Sequence, residues 1–328
     1  MSDSEPEQEL IKLTKEIIYT RLSAPERTHD NNSFAMTKLD AKGLELQEIE
    51  LLSSYPLLRE IDLSENAITD ASPLNSVTTL QFLDISQNDS LTELKLSLPE
   101  LRRLNASSCS IKTLDLSGCP KLEHVILNSN QIESLDSITG HPNLKIVEAR
   151  GNQIQSVDGL ALPSLVRLYL ADNPLRYFSG VRAPSLEILH LRGCEMGKNA
   201  DPEPDEEEPE EEVLSGSEDE DAEPPSEDLV VKEGPKELPE VPPLICSLPA
   251  LKYLNLRETK LAAPEELNVL VDNCPELLNL NVSGSDASDR IAVLKILPRL
   301  VRIDKEDVTE EDIEEANRVE EEEEEEED

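Results

Sequence analysis

Aliphatic residues recur along this chain with a fixed spacing. Leu58, Ile61, Leu63, Asn66 and Ile68 define a template of leucine-like positions closed by Asn or Cys and one more aliphatic residue. Its copies begin at Leu58, Leu80, Leu101, Leu122, Leu144, Leu165 and Leu186, so successive starts lie 22, 21, 21, 22, 21 and 21 residues apart. Two further copies begin at Leu251 and Leu277. This is a leucine-rich repeat. It predicts an α/β solenoid of about nine to ten repeats, a curved parallel sheet with turns, 3-10 segments and short helices on the convex side. Such stacks present an open wall and no deep catalytic cleft, so binding is expected rather than chemistry.

Within a repeat the aliphatics alternate, as in Leu168-Tyr169-Leu170. Alternation sends the leucines inward and the residues between them onto the concave surface. After each Asn come aliphatics at threes, such as Ile132, Leu135 and Ile138, or Leu175, Phe178 and Val181, which suit a turn or short 3-10 segment. Cys109 and Cys194 occupy the position held elsewhere by Asn66, Asn88, Asn130, Asn152 and Asn173, where a small polar side chain satisfies turn backbone.

Outside the repeats the pattern changes. Residues 1–35 form an N-terminal segment in which Leu10, Ile11, Leu13, Ile17 and Ile18 predict a short amphipathic helix over 10–22, followed by a polar, turn-rich stretch over 23–35. Residues 36–196 carry the main array, opened by a degenerate repeat at Leu39, Leu44, Leu46, Ile49 and Leu52 that shields the end. Residues 197–243 are rich in Pro, Glu and Asp and are expected to be a disordered acidic insert, a loop on one face that divides the sequence of the solenoid without necessarily dividing its stack. Residues 244–305 restore the pattern and end in a cap at Leu294, Leu297, Leu300 and Ile303, and 306–328 read as an acidic helix and tail.

Charge sharpens this division. The chain of 328 residues has a net charge of -41, of which residues 195–240 supply 20 acids against 3 bases and residues 306–328 supply 16 against 1. Nucleic-acid phosphates and anionic lipids repel such a chain, whereas basic protein surfaces attract its acidic segments. The first ten residues hold four acids and no apolar run of signal-peptide length, so a soluble intracellular protein is expected. Five cysteines, Cys109, Cys119, Cys194, Cys246 and Cys274, without metal-ligand spacing fit a reducing compartment.

Candidate chemistry is sparse. There is no phosphate-cradling glycine loop, no metalloprotease His/Glu pair and no nucleophile elbow, so neither enzyme activity nor a cofactor is expected. Of the four histidines, only His124 and His190 fall on the concave face, 66 residues apart, and no metal site is expected. The concave positions instead read Glu60, Asp62 and Asp84 early, with Phe82, Ile126, Ile146, Tyr169, Ile188 and Tyr253 and the cations Arg103, Arg150, Arg167, Arg192 and Arg257. Aromatic and Arg side chains dominate binding hot spots, so the set from Phe82 to Arg257 is the expected protein-binding face. β-branched and aromatic residues also favour strands on their own account. The insert suits a solvated spacer, a binder of basic partners or a flap over the arginines, and Ser215 and Ser217, each with an acid three residues on, are candidates for acid-directed phosphorylation.

Three segments carry a resemblance. Ser53-Ser54-Tyr55, continuing through Leu58-Arg59-Glu60-Ile61-Asp62-Leu63-Ser64-Glu65-Asn66 to Thr69-Asp70-Ala71-Ser72-Pro73-Leu74-Asn75, resembles the opening repeats of the ciliary radial-spoke family of leucine-rich repeat-containing protein 23. Leu251-Lys252-Tyr253-Leu254-Asn255-Leu256-Arg257 is similar to a late repeat of that family, and Leu297-Pro298-Arg299-Leu300-Val301-Arg302-Ile303-Asp304-Lys305-Glu306 to its closing cap. The resemblance implies a non-enzymatic scaffold in the axoneme of a cilium or flagellum, with other spoke proteins as partners and a cytoskeletal location. The insert and the polyglutamate end depart from that pattern. The acidic nuclear phosphoproteins, which bind histones and inhibit phosphatases, share the join of repeats to an acidic tail and imply a nuclear alternative. The regulatory subunit of protein phosphatase 1 has similar repeats without such an acid run.

Overall fold

A computed structural model describes residues 10–27, 33–197 and 244–327. In chain order the strands are β1 (Leu22–Arg27), β2 (Phe34–Asp40), β3 (Glu60–Asp62), β4 (Phe82–Asp84), β5 (Glu93–Lys95), β6 (Arg103–Asn105), β7 (Thr113–Asp115), β8 (His124–Ile126), β9 (Ile146–Glu148), β10 (Arg167–Tyr169), β11 (Ile188–His190), β12 (Tyr253–Asn255), β13 (Asn279–Asn281), β14 (Arg302–Ile303) and β15 (Glu306–Asp307). All but β5 and β7 form one sheet of 13 strands, and its first and last pairings are antiparallel. That leaves eleven parallel strands, one per coil, with the degenerate first repeat and the closing cap each supplying one.

Each coil is built the same way. The middle residue of each strand points inward, so that Leu83, Leu104, Val125, Val147, Leu168, Leu189, Leu254 and Leu280 form one continuous buried stack. The residue eight places into the repeat then turns left-handed, with φ between 53° and 58° at Glu65, Gln87, Ser108, Ser129, Asp172 and Glu258. Non-glycine residues pay for that conformation unless the surroundings fix it. The next residue does so. Asn130 Nδ2 donates to the carbonyls of Ala106 at 2.8 Å and Leu127 at 3.0 Å, and its Oδ1 accepts from Ile111 N at 3.1 Å. Asn66, Asn88, Asn152 and Asn173 repeat the arrangement, tying each turn to the coil before it. Cys194 Sγ sits 3.3 Å from the Leu170 carbonyl in the same place, and burial pushes its thiol pKa up to about 12, as expected of a structural rather than a reactive cysteine.

The convex side follows the threes only in part. Ile132, Leu135 and Ile138 are buried around a 3-10 turn at Asp136–Ile138, and further 3-10 turns lie at Glu50–Ser54 and Ser72–Ser76. Between them, however, β5 and β7 pair in parallel as a second, two-stranded sheet in place of the expected turns. Gly118, just past β7, makes this possible, because a Cβ there would stand 2.6 Å from the Ser97 Cα.

The N-terminal end corrects two expectations. The helix α1 runs only over Lys15–Arg21, capped by Thr14, while Leu10 and Ile11 are exposed and Lys12 bridges to Glu48. The stretch expected to be turn-rich contains strand: β1 and β2 pair antiparallel from Leu22↔Leu39 to Arg27↔Phe34 and cover the first coil. At the other end, β14 and β15 close the sheet, and α4 (Glu310–Glu327) extends the chain beyond it, following the helices α2 (Val269–Asn273) and α3 (Arg290–Ile296). Arg290 donates to Asp312 at 2.9 Å and anchors α4 to α3, holding the Asp312 carboxyl well below the usual range.

The acidic insert, apart from Gly197, lies outside the described residues, as do Ser215, Ser217 and His29. The coils on its two sides meet directly: β11 pairs with β12 in the register Ile188↔Tyr253, and Phe178 bridges to Ile245. The stack is therefore continuous across the insertion.

Candidate protein-binding face

Three columns of side chains cross the concave face, because residues flanking the inward position of each strand point the same way. The first column contains Glu60, Phe82, Arg103, His124, Ile146, Arg167, Ile188 and Tyr253, and the second Asp62, Asp84, Asn105, Ile126, Glu148, Tyr169, His190 and Asn255. Just past the strands a third column carries Arg150, Arg192 and Arg257. The five arginines expected on this face fall in two of these columns, Arg103 and Arg167 in the first and Arg150, Arg192 and Arg257 in the third. All eleven sequence-derived candidates are exposed or half-buried here.

The face is electrostatically bipolar. Over β3 and β4, Asp62 and Asp84 each accept from the backbone and hydroxyl of the serine two residues on, and Asn105 donates to Asp84 at 2.9 Å. From β9 to β12 the cations dominate. Arg150 pairs with Glu148 at 2.8 Å, and Arg192 and Arg257 share Glu258 at 2.8 and 2.9 Å. The hydrogen bond from Arg192, followed by its charge and that of Arg257, lowers the Glu258 pKa. These pairs remain partly open to solvent, so they orient side chains more than they stabilise the fold.

Aromatic rings fill the space between the charges. His190 stands between Tyr169 and Tyr253, with ring centroids 4.7 and 5.1 Å away, and the Arg150 guanidinium lies 4.3 Å from the Tyr169 ring centre. Burial between the tyrosines lowers the His190 pKa, helped by the nearby Arg150 charge, so the ring is held neutral near pH 7. Sequence reasoning passed over His190 and the acids Glu148 and Glu258 as site residues. Their repeat positions gave a signal for the first two, but the Arg192–Glu258 contact joins residues 66 apart across the insert and had none.

Among the described residues no group of His, Cys, Asp and Glu is arranged to hold a metal ion, and no helix is long and apolar enough to cross a membrane. An open, mixed-charge wall with ordered aromatic groups suits protein binding, the usual work of repeat solenoids.

Two repeat-family models match the chain, "Leucine Rich repeats (2 copies)" over residues 99–140 and "Leucine Rich repeat" over 56–72. An internalin crystal structure from Listeria monocytogenes covers 84% of each chain at 18% identity, with a TM-score of 0.41. Leucine-rich repeat-containing protein 23 of Bos taurus is 30% identical over 314 residues, spanning 94% of this chain and 79% of its own. The protein of that name from Homo sapiens is 32% identical over 312 residues, spanning 93% and 78%. An alignment of that length takes in the caps as well as the repeats, and the chain belongs to the family of leucine-rich repeat-containing protein 23.

Proposed function

We propose that this chain is a non-enzymatic scaffold of the axonemal radial spoke in cilia or flagella, gripping other spoke proteins on its concave face. The observation that carries the reading is its similarity to leucine-rich repeat-containing protein 23 along nearly its whole length. The face supports the binding half of it: Phe82, Arg103, Ile126, Ile146, Arg150, Arg167, Tyr169, Ile188, Arg192, Tyr253 and Arg257 lie on one wall. The acidic helix α4 favours one alternative, a nuclear protein that binds histones or regulates a phosphatase.

A tagged copy expressed in a flagellated cell separates the two. Axonemal signal is expected, and nuclear signal would replace this reading with the alternative. The variant carrying Arg150→Glu, Arg192→Glu and Arg257→Glu is expected to leave the axoneme while melting close to the parent, because exposed charges alter stability by only about 0.5 kcal/mol each. Undiminished axonemal retention of that variant would clear these arginines of a binding role.

A further inference from the structure

Arg167 is the one concave cation on β9–β12 that, among the described residues, pairs with no carboxylate. It is exposed and stands in its column between half-buried Ile146 on β9 and Ile188 on β11. Beside it runs the ordered ring series of Tyr169, His190 and Tyr253. Around it, among the described residues, Arg150, Arg192 and Arg257 form ion pairs with Glu148 and Glu258 alone, and Arg192 also feels the Asp172 charge, so four arginines face three acids in a chain whose net charge is -41. An exposed guanidinium presents a planar fork of donors that matches an incoming carboxylate in two parallel charge-assisted hydrogen bonds.

We propose that the β9–β12 end of the concave face binds an acidic peptide segment of a partner protein, Arg167 receiving a carboxylate and the flanking isoleucines and stacked rings receiving its apolar neighbours. This rests on the concave-face reading above and names the chemistry of the partner. The rings need little ordering on binding, since Tyr169 is already held between Arg150 and His190. Strands lie about 4.8 Å apart, so β9 to β12 span about 14 Å, the reach of about four extended residues. At the far end Glu60, Asp62 and Asp84 repel acids, which confines the segment to the arginine end. Nucleic acid would bring anionic charge too, but along a backbone long enough to meet the rest of this acidic chain.

The test uses the full chain and a fluorescein-labelled peptide of about seven residues that alternates leucine or phenylalanine with aspartate or glutamate. The control peptide carries asparagine and glutamine in place of the acids. Fluorescence anisotropy is expected to show the acidic peptide binding about tenfold tighter than the amide peptide. Arg167→Glu should remove most of that advantage, Arg167→Lys should keep part of it, and Arg182→Glu, away from this face, should leave it intact. Thermal unfolding of each variant checks that the fold persists. Equal binding of both peptides, equal binding by Arg167→Glu, or no acidic-peptide binding at about 1 mM would each overturn the proposal. Those results would leave axonemal localisation standing, whereas nuclear signal with intact peptide binding would sink the spoke reading and spare this one.

Discussion

Leu168→Ala is expected to destabilise the chain by about 2 to 5 kcal/mol. Leu168 is fully buried and stands in register between Val147 of the coil before and Leu189 of the coil after. Its side chain is shared by two inter-coil contacts, so truncation opens a cavity that neither neighbour fills without moving its own strand. Because each coil is stabilised chiefly by its neighbours, the loss propagates along the stack rather than staying local. Urea unfolding followed by circular dichroism measures it. Lys145→Ala, at an exposed position one coil earlier, should shift the curve by less than about 0.5 kcal/mol. A Leu168→Ala curve that overlays the parent would mean that this side chain does not face the core.

Asn173→Ala is expected to cost about 3 kcal/mol or more by a different route, the exposure of unmet backbone hydrogen bonds. Asn173 Nδ2 donates to the carbonyls of Ala149 at 2.9 Å and Leu170 at 2.7 Å, and Oδ1 accepts from Ile154 N at 3.1 Å. Alanine leaves Ile154 N and the Ala149 carbonyl without a partner, and the Leu170 carbonyl with only the weak Cys194 thiol contact, in a turn whose preceding residue, Asp172, is already left-handed at φ 58°. Asn173→Cys should fall between the two, since the thiol at Cys194 keeps one weak contact with a carbonyl and accepts nothing in exchange. Urea unfolding again measures the series, and equal loss for Ala and Cys would show that the ladder's carbonyl contacts contribute little.

The array was legible because its period and its core are the same thing. A leucine that must be buried in every coil recurs at the coil length, and the Asn that closes each turn marks the phase, so inward and concave positions of the main-sheet strands from β3 to β13 follow from counting. The caps do not share that constraint. In β1, Ser23-Ala24-Pro25-Glu26-Arg27 shows no alternation because the strand buries little; β2 holds it there by backbone pairing. Leu10 and Ile11 suggested helix by spacing, but the Ile11 carbonyl accepts instead from the backbone of Gln47 and Glu48. For β5 and β7 the signal existed, in the alternation of Leu94, Leu96 and Leu98, and was outweighed by the threes of the neighbouring repeats. On the concave face, positions could be read but pairings could not. Whether Arg192 is free or tied to Glu258, and whether Tyr169 and Tyr253 stand apart or clasp His190, depends on distances between coils.

Hydroxyl-radical footprinting of the chain, alone and in its native assembly, tests most directly whether the concave wall is where partners are held. Phe82, Tyr169 and Tyr253 lie on that wall, while Tyr19 on α1 and Tyr177 on the opposite side serve as internal references. Oxidation of the first three should fall on assembly while the references stay unchanged. Protection of Tyr19 and Tyr177 with Phe82, Tyr169 and Tyr253 still reactive would place the partner on another surface and contradict the account.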